Sequence, residues 1–212
     1  MQKLSFTEKF IHHITEHQLF KASDTVLLAV SGGMDSVTML SLFRQCGFIF
    51  EIAHCNFQLR GKESEADETF VRNLADTYKV PCHVKRFDTF PYQKLKKLSP
   101  EEAARNLRYS WFEELLNTGH YQVLATAHHA QDVVETVLLN LTRGTGIKGV
   151  TGIPVKNGRI IRPLLFATKQ EIEQYCTANT LSYRVDETNK SDTFSRNKIR
   201  NHIIPVLKTM NP

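Results

Sequence analysis

Two groups of residues have types and spacing that could do chemistry. The first is Ser31-Gly32-Gly33-Met34-Asp35-Ser36, which follows the apolar run 25–30 and precedes a stretch of helical spacing. In a strand-to-helix turn, glycines let the backbone approach a ligand closely, and the N–H groups of the helix start point outward. Together with the helix dipole they form an anion site suited to phosphate. The loop has neither the Gly-Lys-Ser/Thr ending of a Walker A motif nor a GxGxxG pattern, so it holds phosphate without a lysine. Asp35 is the informative residue, because a carboxylate among phosphates is repulsive unless a cation lies between them. Mg²⁺ bridging Asp35 to the phosphates of ATP resolves this. An acidic residue at a helix start beside a capping serine accounts for Asp35 alone, but not for the two glycines and the flanking serines.

The second group is His128, Asp132 and Glu135, spaced i, i+4, i+7, which brings them to one face near a helix start. The helix follows the C-terminal end of a strand, where α/β folds place ligands. Arg108 and Arg196 could each grip a phosphate or a carboxylate through a bidentate fork, although a lone arginine is equally read as part of a solvated helix face. His12, His13 and His17 lie on one N-terminal helix with no third ligand near the His13/His17 pair, so they read as solvated helix histidines rather than a metal site. Cys46, Cys55, Cys82 and Cys176 are far apart and form no CxxC pair, as expected of reduced thiols.

These groups must be positioned by the surrounding elements. Strands are expected at 25–30, 48–55, 82–88 after Pro81, 121–127 and around 159–162. Helices are expected at 5–18, 36–45, 64–78, about 101–117, 130–141, 168–178, and over a last stretch from 196 that Pro205 interrupts. Ser99-Pro100-Glu101-Glu102 and the Thr168/Glu171 pair are capping-box starts. Residues 92–98 are basic without clear periodicity and read as a mobile loop; 143–152 reads as a glycine-rich loop. Strands alternating with helices at this spacing give an α/β class, a doubly wound domain with a mainly parallel sheet. A length of 212 residues with 41% apolar content suits one well-cored domain. Lys+Arg 27 against Asp+Glu 22 leaves +5, which permits contact with nucleic acid without demanding it. No apolar run approaches the roughly 20 residues of a membrane helix, and the N-terminus does not read as a signal peptide, so a soluble cytoplasmic protein without membrane contact is expected.

SGGxDS after an apolar strand is the signature of the PP-loop ATP-pyrophosphatases, and the chain resembles that superfamily. Its members cleave ATP to AMP and pyrophosphate and activate a substrate oxygen as an adenylate. Four further segments narrow the resemblance to the tRNA(Ile)-lysidine synthetases. His54-Cys55-Asn56-Phe57-Gln58-Leu59-Arg60-Gly61 is similar to their HxNHxLRG, and residues 101–109 to their E-x-x-A-R-x-x-R-Y. Residues 126–136 are similar to their TAHHxDDQxET, and Asp186-Glu187-Thr188-Asn189 with Arg196-Asn197-Lys198-Ile199-Arg200 to their E-D-x-S-N…R-N-x-I/L-R. The matches span about residues 25–205. Three positions depart from the pattern: Phe57 for the second histidine of HxNH, Gln131 for the first aspartate of DDQ, and Val133 for its glutamine.

The resemblance implies ATP and Mg²⁺ at Ala29, Ser31, Gly32, Gly33, Asp35, Ser36 and His54, with Asp35 as the metal ligand. It implies catalytic roles for Asp35, Arg108, His128, Asp132, Glu135 and Arg196, with Asp132 and Glu135 binding or deprotonating L-lysine and His128 at the adenylate site. The partner implied is an isoleucine tRNA with a CAU anticodon, whose wobble cytidine would receive the lysine. Residues 1–212 are then an N-terminal catalytic domain, with tRNA-gripping domains expected beyond it and a homodimer left open. Lys94, Lys96, Lys97 and the 143–149 loop are the expected tRNA backbone contacts. The rival within the superfamily is a tRNA thiolase, against which the lack of CxxC counts; a catalytically idle nucleotide- or RNA-binding module is the rival outside enzyme chemistry.

Overall fold

The computed structural model describes residues 4–146, 150–185 and 195–210. The elements run α1 (Phe6–Glu16), β1 (Thr25–Ala29), α2 (Met34–Gln45), β2 (Ile49–Asn56), α3 (Lys62–Tyr78), β3 (Cys82–Arg86), α4 (Thr89–Lys96), α5 (Pro100–Thr118) and β4 (Val123–Ala125). They continue through α6 (Ala130–Thr142), β5 (Lys156–Asn157), β6 (Ile160–Ile161), α7 (Lys169–Ala178), α8 (Ser195–Lys198), a π-helical turn (Ile199–Ile203) and α9 (Ile204–Met210). The sheet has the order β3-β2-β1-β4-β6-β5, parallel throughout except for β5 against β6.

Strand β1 lies inside the sheet and is buried on both faces, hence its unbroken apolar run. Val26, Leu28 and Val30 turn to one side, into a core with Phe10, Met39, Phe43 and Ile52. Leu27 turns to the other, against Ala53, Trp111, Phe112 and Leu124. After β1 the chain proceeds outward to β2 and β3, then returns to place β4 on the opposite side of β1. That reversal opens a crevice at the C-terminal ends of β1 and β4, the place where doubly wound sheets bind ligands.

Both capping boxes form: Ser99 Oγ accepts from the Glu102 N–H and Thr168 Oγ1 from the Glu171 N–H, and each glutamate takes its cap residue's N–H in return. Residues 92–98, expected as a mobile loop, instead lie largely in α4. Thr89 is the buried residue of that helix and its hydroxyl donates to the Phe57 carbonyl at 2.7 Å. A helix that buries one residue needs no apolar stripe, so its sequence carries no periodicity. Lys97, at φ 53°, ends it in the left-handed conformation. Pro205 does not break the last helix. The Ile204 N–H bonds back to the Ile199 carbonyl, and this π turn falls immediately before the proline, whose ring has no N–H to give. His13, expected in solvent, is 7% exposed and stacks edge-on against His17. Burial first, and His17 beside it, lower its pKa below the usual imidazole value.

Candidate active site

The Ser31–Ser36 turn is braced from within. Gly32 has φ +91°, its carbonyl accepts from the Arg184 N–H at 2.9 Å, and a Cβ there would press Phe70 at 3.3 Å. Ser36 Oγ donates to the Gly33 carbonyl at 2.9 Å and accepts from the Gly32 N–H at 3.2 Å, while Ser31 Oγ accepts from the Gly33 N–H at 3.3 Å. Gly33 is the N-cap of α2 and its side offers no capping group, so the first-turn N–H groups of Met34, Asp35 and Ser36 lack an intrahelical acceptor. These free N–H groups are the ones that the sequence reading expects to meet an anion.

A cavity of about 430 Å³ opens between this turn and the β4–α6 connection. Ala29, Ser31, Gly33, Asp35 and Ser36 line it together with Arg108, His128 and Asp132. Eight of the expected site residues are therefore gathered in one place. Four are not among its lining residues. Gly32 turns its open side toward α3. His54 is buried, takes the Val30 carbonyl with Nδ1 at 2.8 Å, and faces an adjoining cavity that shares Ser31, Cys55, Phe57 and Arg108 with the first. Glu135 and Arg196 face each other instead. Glu135 is wholly buried and accepts from Arg200 Nε at 2.6 Å, Arg200 Nη2 at 2.8 Å and Arg196 Nε at 2.9 Å. Residues 186–189 lie outside the described residues, as do 147–149 of the glycine-rich loop.

Asp132 has two tasks. Its Oδ2 accepts the His129 N–H at 2.9 Å as the reciprocal half of the α6 cap, while the side chain lines the cavity. Burial pushes its pKa up, but the His129 ring and N–H, His128 and Arg196 outweigh this and hold it below the ordinary value, so it stays ionised. His128 accepts or donates at Nδ1 with Thr126 Oγ1 at 2.9 Å. Burial, against the pull of Asp132 and with the help of nearby arginines, lowers its pKa well below the usual imidazole value, so it is neutral.

Lys169 carries no motif signal, and His129 lies in the 126–136 motif but is given no role by the sequence. Lys169, the first residue of α7, places Nζ 2.7 Å from Asp35 Oδ1, and His129 Nε2 lies 3.8 Å from Asp35 Oδ2. The phosphate loop has no lysine of its own, yet the fold brings one to it across 134 positions of sequence. Arg200 lines the cavity and its sequence signal was present, as the closing arginine of the 196–200 motif. Each departure from the family pattern also has a place. Gln131 Nε2 donates to Glu135 at 3.3 Å, where an aspartate would add a third acid beside Asp132 and Glu135. Phe57 stacks on Phe87 and lies under the Arg108 guanidinium, 5.2 Å from the ring centre. Val133 packs so closely on Gly152 that a Cβ on the glycine would meet it at 2.6 Å.

Among the described residues, no three His, Cys, Asp or Glu side chains gather into a metal cage. Mg²⁺ is usually held by one or two carboxylates together with substrate phosphates, and Asp35, at the phosphate loop and lining the cavity, is the carboxylate that would hold it.

Comparison with known proteins bears on this geometry. The chain is 44% identical over 205 residues to a tRNA(Ile)-lysidine synthase of Bacteroides thetaiotaomicron, covering 97% of this chain and 48% of that protein. It is 46% identical over 212 residues to that of Porphyromonas gingivalis, covering 99% of this chain and 47% of the relative. The chain thus spans about half the length of the curated relatives it matches. Among solved structures, a U34-tRNA thiolase of Methanococcus maripaludis with its 4Fe–4S cluster superposes with a TM-score of 0.79 at 18% identity, covering 97% of this chain and 73% of that one. An NH3-dependent NAD synthetase of Campylobacter jejuni gives 0.58 at 18% identity, covering 97% and 86%. Both share the fold. The model of the PP-loop domain matches residues 4–207, and the chain belongs to that family.

Proposed function

We propose that this chain is the catalytic domain of an enzyme that joins lysine to the wobble cytidine of an isoleucine tRNA with a CAU anticodon, at the expense of ATP. One observation carries the reading: the Ser31–Ser36 anion loop and the His128/Asp132 pair converge on one cavity at the sheet's reversal point. The similarity to tRNA(Ile)-lysidine synthases over 97–99% of the chain supports the choice of substrates. In the first step the cytidine 2-carbonyl oxygen bonds to the α-phosphorus of ATP and pyrophosphate leaves. In the second the lysine ε-amine bonds to carbon 2, and AMP departs with the oxygen.

The loop's N–H groups hold the departing pyrophosphate, whose charge Mg²⁺ held by Asp35 would offset. Ionised Asp132 attracts the lysine ammonium and is the carboxylate in the cavity to which its proton can pass. Neutral His128 adds no positive charge to repel it. Arg108, stacked on Phe57, reaches both adjoining cavities and is placed for the nucleotide phosphates. Glu135 acts here by holding Arg196 and Arg200 in place. A thiolase chemistry is disfavoured by Cys55, the cysteine at the cavity, whose burial pushes its pKa up to about 12 and keeps it a thiol. We assign recognition of the tRNA body to the part of the relatives that this chain does not span, and the reaction to the cytoplasm.

The test is transfer of radiolabelled lysine to isoleucine tRNA bearing CAU, with ATP and Mg²⁺. Incorporation by the full-length protein that vanishes in Asp35→Ala is the expected result. ATP cleavage stimulated by another tRNA, with no lysine incorporated, would overturn the reading.

A further inference from the structure

A second chamber lies behind the catalytic cavity. Tyr109 and His128 line both, so the two spaces are neighbours across these side chains. The second chamber is about 540 Å³ and is lined by Arg105, Arg143, Arg162 and Arg196. Their circumstances differ. Arg196 is engaged with Glu135, and Arg105 lies over the Tyr109 ring, 4.9 Å from its centre. Arg143 is exposed at the C-terminal end of α6. Arg162 is 6% exposed, donates from Nη1 to the Pro154 carbonyl at 2.6 Å, and leaves its buried Nε without a hydrogen-bond partner.

A buried guanidinium N–H with no acceptor is costly, and cationic groups converging around such a group select an anion. Glu102 is committed to the Ser99 cap and also feels the Arg143 charge, Glu101 is exposed, and the Tyr109 hydroxyl bonds the Arg162 guanidinium, yet Arg162 Nε still has no acceptor. Arginine's fork matches phosphate oxygens in particular.

We propose that this chamber binds a backbone phosphodiester of the RNA substrate, with Arg162 buried within it and Arg105 and Arg143 toward solvent. The inference rests on the reading that an RNA base is the acceptor. A base presented at the His128 side of the catalytic cavity carries a phosphate on each flank, and the neighbouring chamber is where one would fall. Pyrophosphate, the other phosphate source, is assigned by the proposed function to the Ser31–Ser36 loop, whose residues do not line this chamber.

The experiment measures binding of a fluorescent stem–loop RNA with a CAU loop to the full-length protein over a range of salt concentrations. Wild type is compared with the exposed double variant Arg105→Gln/Arg143→Gln and with Arg162→Gln. Each is expected to weaken RNA binding, the double variant by roughly tenfold with a salt slope shallower by about 2, while ATP affinity and inhibition by inorganic pyrophosphate stay unchanged. Wild-type RNA affinity and slope in the double variant would overturn the assignment and leave the proposed function standing. Weakened pyrophosphate inhibition with unchanged RNA binding would give the chamber to the leaving group instead. A wild-type protein that binds no such RNA would sink both.

Discussion

Asp35 and Lys169 show how a single residue pair can be half visible in a sequence. Asp35 stands inside a contiguous motif, so the role proposed for it can be argued from its neighbours. Lys169 comes from the far end of the chain, and its position at the start of α7 was already explained by the Thr168/Glu171 cap. Both side chains are about a third exposed, at 33% and 32%, so their pair adds under about 1 kcal/mol to the fold and opens readily. If Mg²⁺ brought in with ATP engaged the Asp35 carboxylate, the Lys169 ammonium would be left free to face the phosphates. Lys169→Met is therefore expected to weaken ATP binding by roughly ten- to a hundredfold, since charge-assisted hydrogen bonds contribute about 1.5–3 kcal/mol, with Lys169→Arg retaining most of the affinity. Calorimetric titration with ATP checks it. A Lys169→Met protein that binds ATP as tightly as wild type would reduce the lysine to a surface ion pair.

At the scale of elements, legibility followed local signals. The Ser99 and Thr168 caps were readable because a capping box is written in four consecutive residues, and Ser99→Ala should lower stability by about 1 kcal/mol in urea unfolding. Helix α4 was not readable, having no buried face to impose a period. Hairpin β5–β6 was only half read: its Asn157-Gly158 turn, with Gly158 at φ 58°, is a hairpin signal, but two-residue strands carry no alternation. The union of α8 and the π turn with α6 depends on long-range charge pairing that periodicity cannot express. Glu135→Gln keeps the shape of the side chain but removes the charge facing Arg196 and Arg200, and losing one member of a buried pair costs about 3–5 kcal/mol. The expected outcome is faster hydrogen exchange over residues 195–210, with the β1–β4 sheet still protected. Uniform loss of protection would mean that this segment and the sheet unfold together.

For the whole molecule, the α/β class followed from alternating strands and helices, whereas the strand order, and with it the crevice, depends on which side of β1 receives β4. No local pattern encodes that choice. What joins the distant parts can be followed by pH. Glu68 of α3 is 4% exposed and accepts from Asn56 at the end of β2 at 2.9 Å, from Arg86 of β3 at 2.8 Å and from Arg72 at 3.0 Å. Burial pushes its pKa up, but these donors outweigh it and hold the carboxyl at about 2, against an ordinary 4.5. A depressed carboxyl pKa stabilises the fold at neutral pH, and that contribution is lost as pH falls from 4.5 toward 2. It amounts to something on the order of 3 kcal/mol. Buried His13 and His54 and partly buried His128 act in an earlier window. Their lowered pKa values mean that the unfolded chain takes up protons first as pH drops below the ordinary imidazole value of 6.5, so stability already declines there. Urea unfolding from pH 7 to 3 should therefore show two successive losses, and Glu68→Gln should be less stable at pH 7 yet flatten the loss below 4.5. If the variant instead parallels wild type between pH 4.5 and 3, the acid sensitivity lies elsewhere, and the carboxylate joining α3 to β2 and β3 does not control it.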